Sequence, residues 1–240
     1  MENSLYVGLS AQVALEERMA LIANNVANIN TPGYRGQNAV FKEFISDQPR
    51  MKEDVSLVYD IGQYQVTSPG PIKQTGAPLD VALVGPGYFG VGTNDGVQFT
   101  RAGNFTLNAN GELITSTGYK VADQGGGIIS IPASVKYVTI DEKGVVSTDQ
   151  GVVGNLMVAE FTDYQKLSPT GNGLYKTDEA PTPAKDTRVF QGKLEGSNVQ
   201  PVLEMTRMID VMREYQAVQR VMQNEHDRQR TGIQKILETS

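Results

Sequence analysis

The chain contains no cysteine, no tryptophan and a single histidine, and the absences exclude several chemistries at once. Without cysteine there is no disulfide framework, no thiolate metal site and no cysteine nucleophile. One histidine, His226, cannot build a multi-histidine metal centre, and its place in a helical region reads as a solvated or interfacial position. No stretch approaches the roughly 18 to 20 apolar residues that span a bilayer, so no membrane insertion is expected. The start, Met1-Glu2-Asn3-Ser4, lacks the basic region and apolar core of a cleaved signal peptide. General secretion rules would then leave the chain in the cytoplasm unless it uses another export route. With 21 basic against 27 acidic residues and a net charge of −6, the chain lacks the basic footprint that neutralises phosphates, so no nucleic-acid partner is expected.

What is present is enough apolar material for a folded protein: 39% hydrophobic residues with 20% charged over 240 residues, divided into three zones. In the first, positions 5, 8, 12, 15, 19, 22, 26 and 29 step by threes and fours. Leu5, Leu15, Met19, Ile22, Val26 and Ile29 are apolar there, with Gly8 and Gln12 as exceptions. That period is an amphipathic helix with a narrow seam suited to a partner helix. The seam runs into "IANNVANINTPGYRG", where Asn24, Asn25, Asn28 and Asn30 crowd the helix end. Asn24 and Asn28 share a face and can bond to nearby backbone, Pro32 forbids continued helix, and Gly33 permits a bend. Thr31, Pro32 and Gly33 are therefore a candidate hinge.

The second zone, about Val55 to Glu195, changes period. Short β-rich runs alternate with turn signals: Asn110-Gly111 between Phe105–Leu107 and Leu113–Thr115, Lys143-Gly144, and Asn94-Asp95-Gly96. No ten-residue helical pattern separates them, which favours an antiparallel sandwich or barrel-like body over a parallel sheet. In the third zone Pro201 suits a first helical turn, with Ser197 or Asn198 as candidate caps. A heptad frame passes through Met205, Met208, Met212, Tyr215, Gln219, Met222, His226, Gln229, Ile233 and Ile236. From Val202 to Leu237 such a helix is about 54 Å long at ~1.5 Å per residue, too long to bury its stripe on one small β-domain. It needs another helix or another subunit, and the N-terminal helix is the nearest partner.

Catalytic signatures are sparse. Gly85-Pro86-Gly87-Tyr88-Phe89-Gly90 fits G-x-G-x-x-G, but strand-like sequence follows where the dinucleotide fingerprint needs a helix, so a turn is preferred and no cofactor is expected. Carboxylates such as Asp80, Asp95, Glu112, Asp123, Asp141 and Glu160 are scattered through the β-zone, and those beside Gly or Asn, such as Asp95 and Glu112, read as turn residues. A glycosidase-like pair remains an alternative, as does a glycan-binding module, though the latter is weakly supported without tryptophan. In residues 197–240 six basic and six acidic side chains are interspersed, which marks a solvated or subunit-facing surface.

Three stretches carry a resemblance. "ANNVANINTPGYRG" after an amphipathic helix resembles the N-terminal signature of the bacterial flagellar axial proteins, the rod, hook and hook-associated subunits. "GYFGVG" with "FTRAGNFTLNANGELITSTGYKV" resembles the core of the rod and hook branch, and "LEGSNVQPVLEMTRMIDVMREYQAVQRVMQ" resembles its C-terminal helix. The length and the short segment between Gly36 and Val55 are similar to the proximal rod subunits, with the distal rod subunit as the alternative. The resemblance implies an α+β fold in which residues 1–35 and 198–240 form an inner domain of paired, coiled-coil-like helices. Residues 36–75 connect it to an inserted antiparallel β-rich outer domain, 76–197. It implies a structural, non-enzymatic subunit that leaves by flagellar type III export without a cleaved leader. Polymerised helically, it would contact further copies, other proximal and distal rod subunits and surrounding ring proteins. Leu15, Met19, Ile22, Asn24, Asn25, Val26 and Asn28 with Met208, Met212, Tyr215 and Met222 are the expected assembly surface, and no catalytic, cofactor or metal residue is expected.

Overall fold

A computed structural model describes residues 2–46 and 55–238, and the remainder of the 36–75 connecting segment, 47–54, lies outside the described residues. The chain is α+β: helix α1, Glu2–Ala27, and helix α2, Pro201–Glu238, bracket a β-rich middle. Contacts divide it into two units. One holds residues 1–27, 37–64 and 200–240; the other holds 28–36 and 65–199. The 36–75 segment is thus shared between them.

In the first unit α1 and α2 pack antiparallel. Arg18 Nη1 lies 3.5 Å from Glu214 Oε2, the Tyr215 hydroxyl donates to Glu16 Oε1 at 3.0 Å, and Asn25 Nδ2 donates to Glu204 Oε2 at 3.3 Å. Rising numbers on one helix therefore meet falling numbers on the other. Ala14, Ile22 and Asn25 are buried on α1, and Glu204 and Val211 on α2, with Leu15, Met19, Val26, Met208, Tyr215 and Met222 half-buried. The buried face of α2 follows 204, 208, 211, 215, 218 and 222. It shares Met208, Tyr215 and Met222 with the heptad read from sequence, but takes Glu204 and Val211 where that frame had Met205 and Met212. The apolar face is broader than one heptad seam, so two frames fit the same sequence. The side chains of Leu5 and Ile236, the ends of the expected seams, lie outside the described residues. A two-stranded ribbon, Gln37–Ser46 with Val55–Gln65, begins ten residues after α1 ends.

The second unit centres on a path of seven strands in the order Ser168–Gly171, Leu174–Lys176, Gly96–Thr100, Tyr88–Thr93, Lys120–Val121, Leu113–Ile114 and Thr106–Leu107. Off this path Val158–Glu160 pairs with Tyr88–Thr93 and with Thr182–Pro183, and a three-stranded meander, Val138–Ile140, Val145–Thr148 and Gly151–Asn155, and two strand pairs complete the unit. Val81–Val84 pairs with Arg188–Gln191, and Ile72–Gln74 with Lys193–Glu195. The registered pairs are antiparallel, as closely spaced turns allow. All three expected turns join paired strands. At Asn110-Gly111, Asn108 Oδ1 accepts from the N–H of Asn110 and of Glu112, both at 2.9 Å, and Gly111 takes φ 77°. That left-handed conformation costs glycine nothing. Two apolar clusters form the core. Val81, Leu83, Phe89, Val91, Leu113, Ile129 and Leu156 anchor one. Tyr88, Phe99, Phe161, Leu167 and Tyr175 anchor the other, where the Phe99 and Phe161 rings meet edge to face at 4.8 Å. After Gly85 to Gly87 the chain enters the strand Tyr88–Thr93 rather than a helix, so the glycine run is a turn between strands.

Candidate functional site

Chain exit from α1 is set by residues 28–36. Thr31 N–H donates to Asn28 O at 3.2 Å and its hydroxyl to Asn28 Oδ1 at 3.0 Å, closing the turn before Pro32. Gly33 follows at φ 67°, and its N–H donates to the Glu195 carbonyl at 2.8 Å. A Cβ there would come within 2.3 Å of the Arg101 carbonyl carbon, so the position admits only glycine. Thr31, Pro32 and Gly33, the candidate hinge, belong to the second unit, whose boundary falls between Ala27 and Asn28.

The tight turn delivers Arg35 into the interior. Its Nη2 meets Glu195 Oε1 at 2.9 Å, while Arg101 Nη2 meets Glu195 Oε2 at 2.8 Å; the three side chains are 4%, 1% and 1% exposed. Burying charges costs several kcal/mol each unless every pole is matched, and backbone does most of the matching here. Gly70 N–H donates to Glu195 Oε1 at 3.0 Å. Arg35 Nη1 donates to the carbonyls of Thr67 and Ser68, and Arg101 Nη1 to those of Gly85 and Gly87. The Arg101 guanidinium also lies 5.5 Å from the centre of the Tyr88 ring. Burial pushes the Arg101 pKa down against the pull of Glu195, and burial pushes the Tyr88 hydroxyl up against the two arginines.

Asn198 extends the tie. Its Oδ1 accepts from Gly36 N–H at 2.7 Å, and its Nδ2 donates to Val66 O and Ser68 O, both at 2.9 Å. Spent this way, Asn198 does not cap α2, and the other candidate cap, Ser197, bonds ahead of the helix: its Oγ accepts from Val199 N–H, two residues before Pro201. Segments 28–36, 65–71 and 195–199 are thus clasped together. A cavity of about 490 Å³ opens beside the clasp, lined by Arg35, Glu195, Tyr88, Tyr164, Val84 and Pro86 among others.

The expected assembly residues lie in the first unit, except Asn28. Asn25 is 2% exposed and brackets Gln37, donating to its carbonyl at 2.9 Å and accepting from its N–H at 3.0 Å. Asn24 is exposed, as are Met205 at 51%, Met212 at 44%, and His226. The acidic residues of the β-zone hold loops. Glu160 Oε1 accepts from Lys185 N–H, Asp186 N–H and the Thr187 hydroxyl, Asp123 Oδ1 from Asn155 N–H, and Glu112 pairs with Lys120. Among the described residues there is no group of three or more potential metal ligands, and no helix is long and apolar enough to cross a membrane.

Three stretches match known families. Residues 5–35 match the flagella basal body rod protein family, 82–148 the D1 domain of flagellar hook proteins FlgE/F/G, and 191–235 the C-terminal region of the flagellar basal body rod FlgEFG proteins. The chain is 36% identical to the flagellar basal-body rod protein FlgF of Caulobacter vibrioides, over 98% of each chain. It belongs to the flagellar basal-body rod protein family. A second FlgF, from Mesorhizobium japonicum, is also 36% identical, over 90% of each chain. The rod protein FlgG of Bacillus subtilis is 30% identical over 92% of this chain and 94% of its own. The clasp draws one charged residue from each matched stretch of this rod-family chain: Arg35, Arg101 and Glu195. Periodicity could not find them, because each stands alone among turn or strand residues. The available signal was a single charge inside each of "TPGYRG", "FTRAGNF" and "LEGSN".

Proposed function

We propose that this chain is a structural subunit of the flagellar basal-body rod, in the proximal rod, where it polymerises helically into the shaft that carries torque from motor to hook. The observation that carries the reading is likeness to a FlgF over 98% of both chains, with the three matched stretches in order from the first helix to the last. In this reading the α1–α2 pair is the coiled-coil-like inner domain, and the β-rich unit inserted between them is the outer one. The half-buried Leu15, Met19, Val26, Met208, Tyr215 and Met222 serve the pair within a copy, and the exposed Met205 and Met212 face neighbours. Its partners are further copies, other proximal and distal rod subunits and the surrounding rings, reached by flagellar type III export without a cleaved leader.

The test is biochemical fractionation. An epitope-tagged chain should co-purify with isolated basal bodies, and deletion of its gene should abolish motility until the chain is restored. A double change of Met212 and Tyr215 to Asp should remove the chain from basal bodies while the β-unit stays folded by circular dichroism. Absence of the wild-type chain from basal bodies would refute the rod assignment.

A further inference from the structure

Among the described residues of the α1–α2 unit, two of the open apolar features are complementary in shape. The first is a ridge on α2: Val202, Met205, Ile209 and Met212 are 78%, 51%, 51% and 44% exposed, and their spacing of three, four and three aligns them along one helix face. The second is a groove between the helices, a hollow of about 440 Å³ walled by Ala11, Ala14, Leu15, Ala217 and Val218, with the Arg18–Glu214 pair beside it. Small side chains on both helices make the hollow, because alanine leaves unfilled the space that a leucine or methionine would occupy. At ~3.6 residues per turn the ridge lies on one flank of the buried face of α2, and Glu214 and Ala217 lie on the other. A single copy therefore cannot seat its own ridge in its own groove.

A surface of long, adaptable side chains and a separate hollow of small ones, carried on different faces of one chain, suit ridge-into-groove packing between successive copies. Such a contact is heterologous and repeats without closing, as a helical polymer requires. Its size selects the same occupant. Four side chains, half of each accessible, cover on the order of 300 Å², well under the ~800 Å² per partner of a stable free dimer. A contact that small holds only where it is repeated and supplemented, as along a filament.

We propose that the Val202–Met212 ridge of one copy seats in the alanine-walled groove of the next, which rests on the rod reading given above. The absence of cysteine makes the test clean. Met205 and Ala217 are twelve residues apart on one helix, about 18 Å at ~1.5 Å per residue. A disulfide needs Cα atoms within roughly 4.4–6.8 Å, so one between Met205→Cys and Ala217→Cys must join two copies. Mild oxidation of basal bodies carrying the double variant should give a ladder of dimers and higher multimers, and either single variant should give monomer. Basal bodies that contain the chain yet yield only monomer overturn the ridge-and-groove contact and leave the rod assignment standing. Absence of the wild-type chain from basal bodies overturns both. As a second variant, Ala217→Leu fills the groove from an exposed position. It should keep the wild-type circular dichroism and lose at least tenfold in basal-body incorporation, whereas wild-type incorporation overturns the contact.

Discussion

Neutralising Glu195 should destabilise the β-rich unit more than any other single isosteric change. In Glu195→Gln the shape is kept and the charge is lost, leaving the Arg35 and Arg101 guanidiniums facing a neutral amide at sites no more than 4% exposed. At an effective dielectric near 20 and ~4 Å between charge centres, each lost attraction is worth about 4 kcal/mol. The carbonyls of Thr67, Ser68, Gly85 and Gly87 still hold both arginines, and glutamine keeps one acceptor for Gly70 N–H, so a net cost of about 3–5 kcal/mol is expected. That is a large share of the ~5–15 kcal/mol that holds a domain together. Arg35→Met, which spares the Arg101–Glu195 pair, should cost less. Replacing all three residues with apolar ones removes the stranded charge but takes the side-chain partners from the Thr67, Ser68, Gly85 and Gly87 carbonyls and the Gly70 N–H, so it should recover only part of the loss. With no tryptophan and ten tyrosines, urea unfolding can be followed by tyrosine emission, and amide exchange across Tyr88–Thr93 assigns the loss to this unit. A cost below ~1 kcal/mol for Glu195→Gln would refute the reasoning that a stranded buried charge in the clasp is expensive.

Gly33→Ala forces a Cβ within 2.3 Å of the Arg101 backbone at φ 67°, so a loss of ~3 kcal/mol or more should lower the thermal midpoint of the same unit. Asn25→Leu leaves the Gln37 N–H and carbonyl without the side chain that brackets them, a cost of about 1–3 kcal/mol, read as faster amide exchange at Gln37. Burial alone would raise the Glu160 carboxyl, but bonds from the Thr187 hydroxyl and the Lys185 and Asp186 N–H groups outweigh it and hold the pKa below 4.5. A depressed carboxylate stabilises the fold above its unfolded value and loses that contribution as pH falls through the folded one. Urea midpoints measured between pH 7 and 3 should therefore fall below pH 4.5 less steeply in Glu160→Gln than in the wild type.

Local chemistry was legible in the sequence wherever a residue's partner lay close along the chain. The three turns, the two helices and the antiparallel β-rich middle follow from φ-tolerant residues and apolar spacing, both properties of short windows. The α2 seam was half legible. Met208, Tyr215 and Met222 are common to both frames, but only the folded partner decides between Val211 and Met212. The side chains that decide it include Asn25 and Glu204, buried polar residues that no apolar pattern can select. Gly33 shows the same division. Its need for positive φ could be read beside Pro32, whereas the Arg101 backbone it packs against is 68 residues away along the chain.

Within each unit, polar ties rather than apolar stripes fix the segments at its boundary. In the β-rich unit Arg35, Glu195 and Asn198 fix the entering segment beside the leaving one, with Asn198 N–H on the Tyr34 carbonyl at 3.2 Å. In the helical unit Asn25 and Glu204 do the equivalent at the end of α1 and the start of α2. Apolar packing tolerates a shift of frame, as the two readings of the α2 heptad show; a buried ion pair or a bracketed amide does not, because each one-residue slip strands a charge or a backbone group. Register at these boundaries is therefore set by groups that contribute modestly to stability when satisfied and cost heavily when displaced. In the proposed rod assembly, that property suits a subunit whose helices present the same faces in every copy.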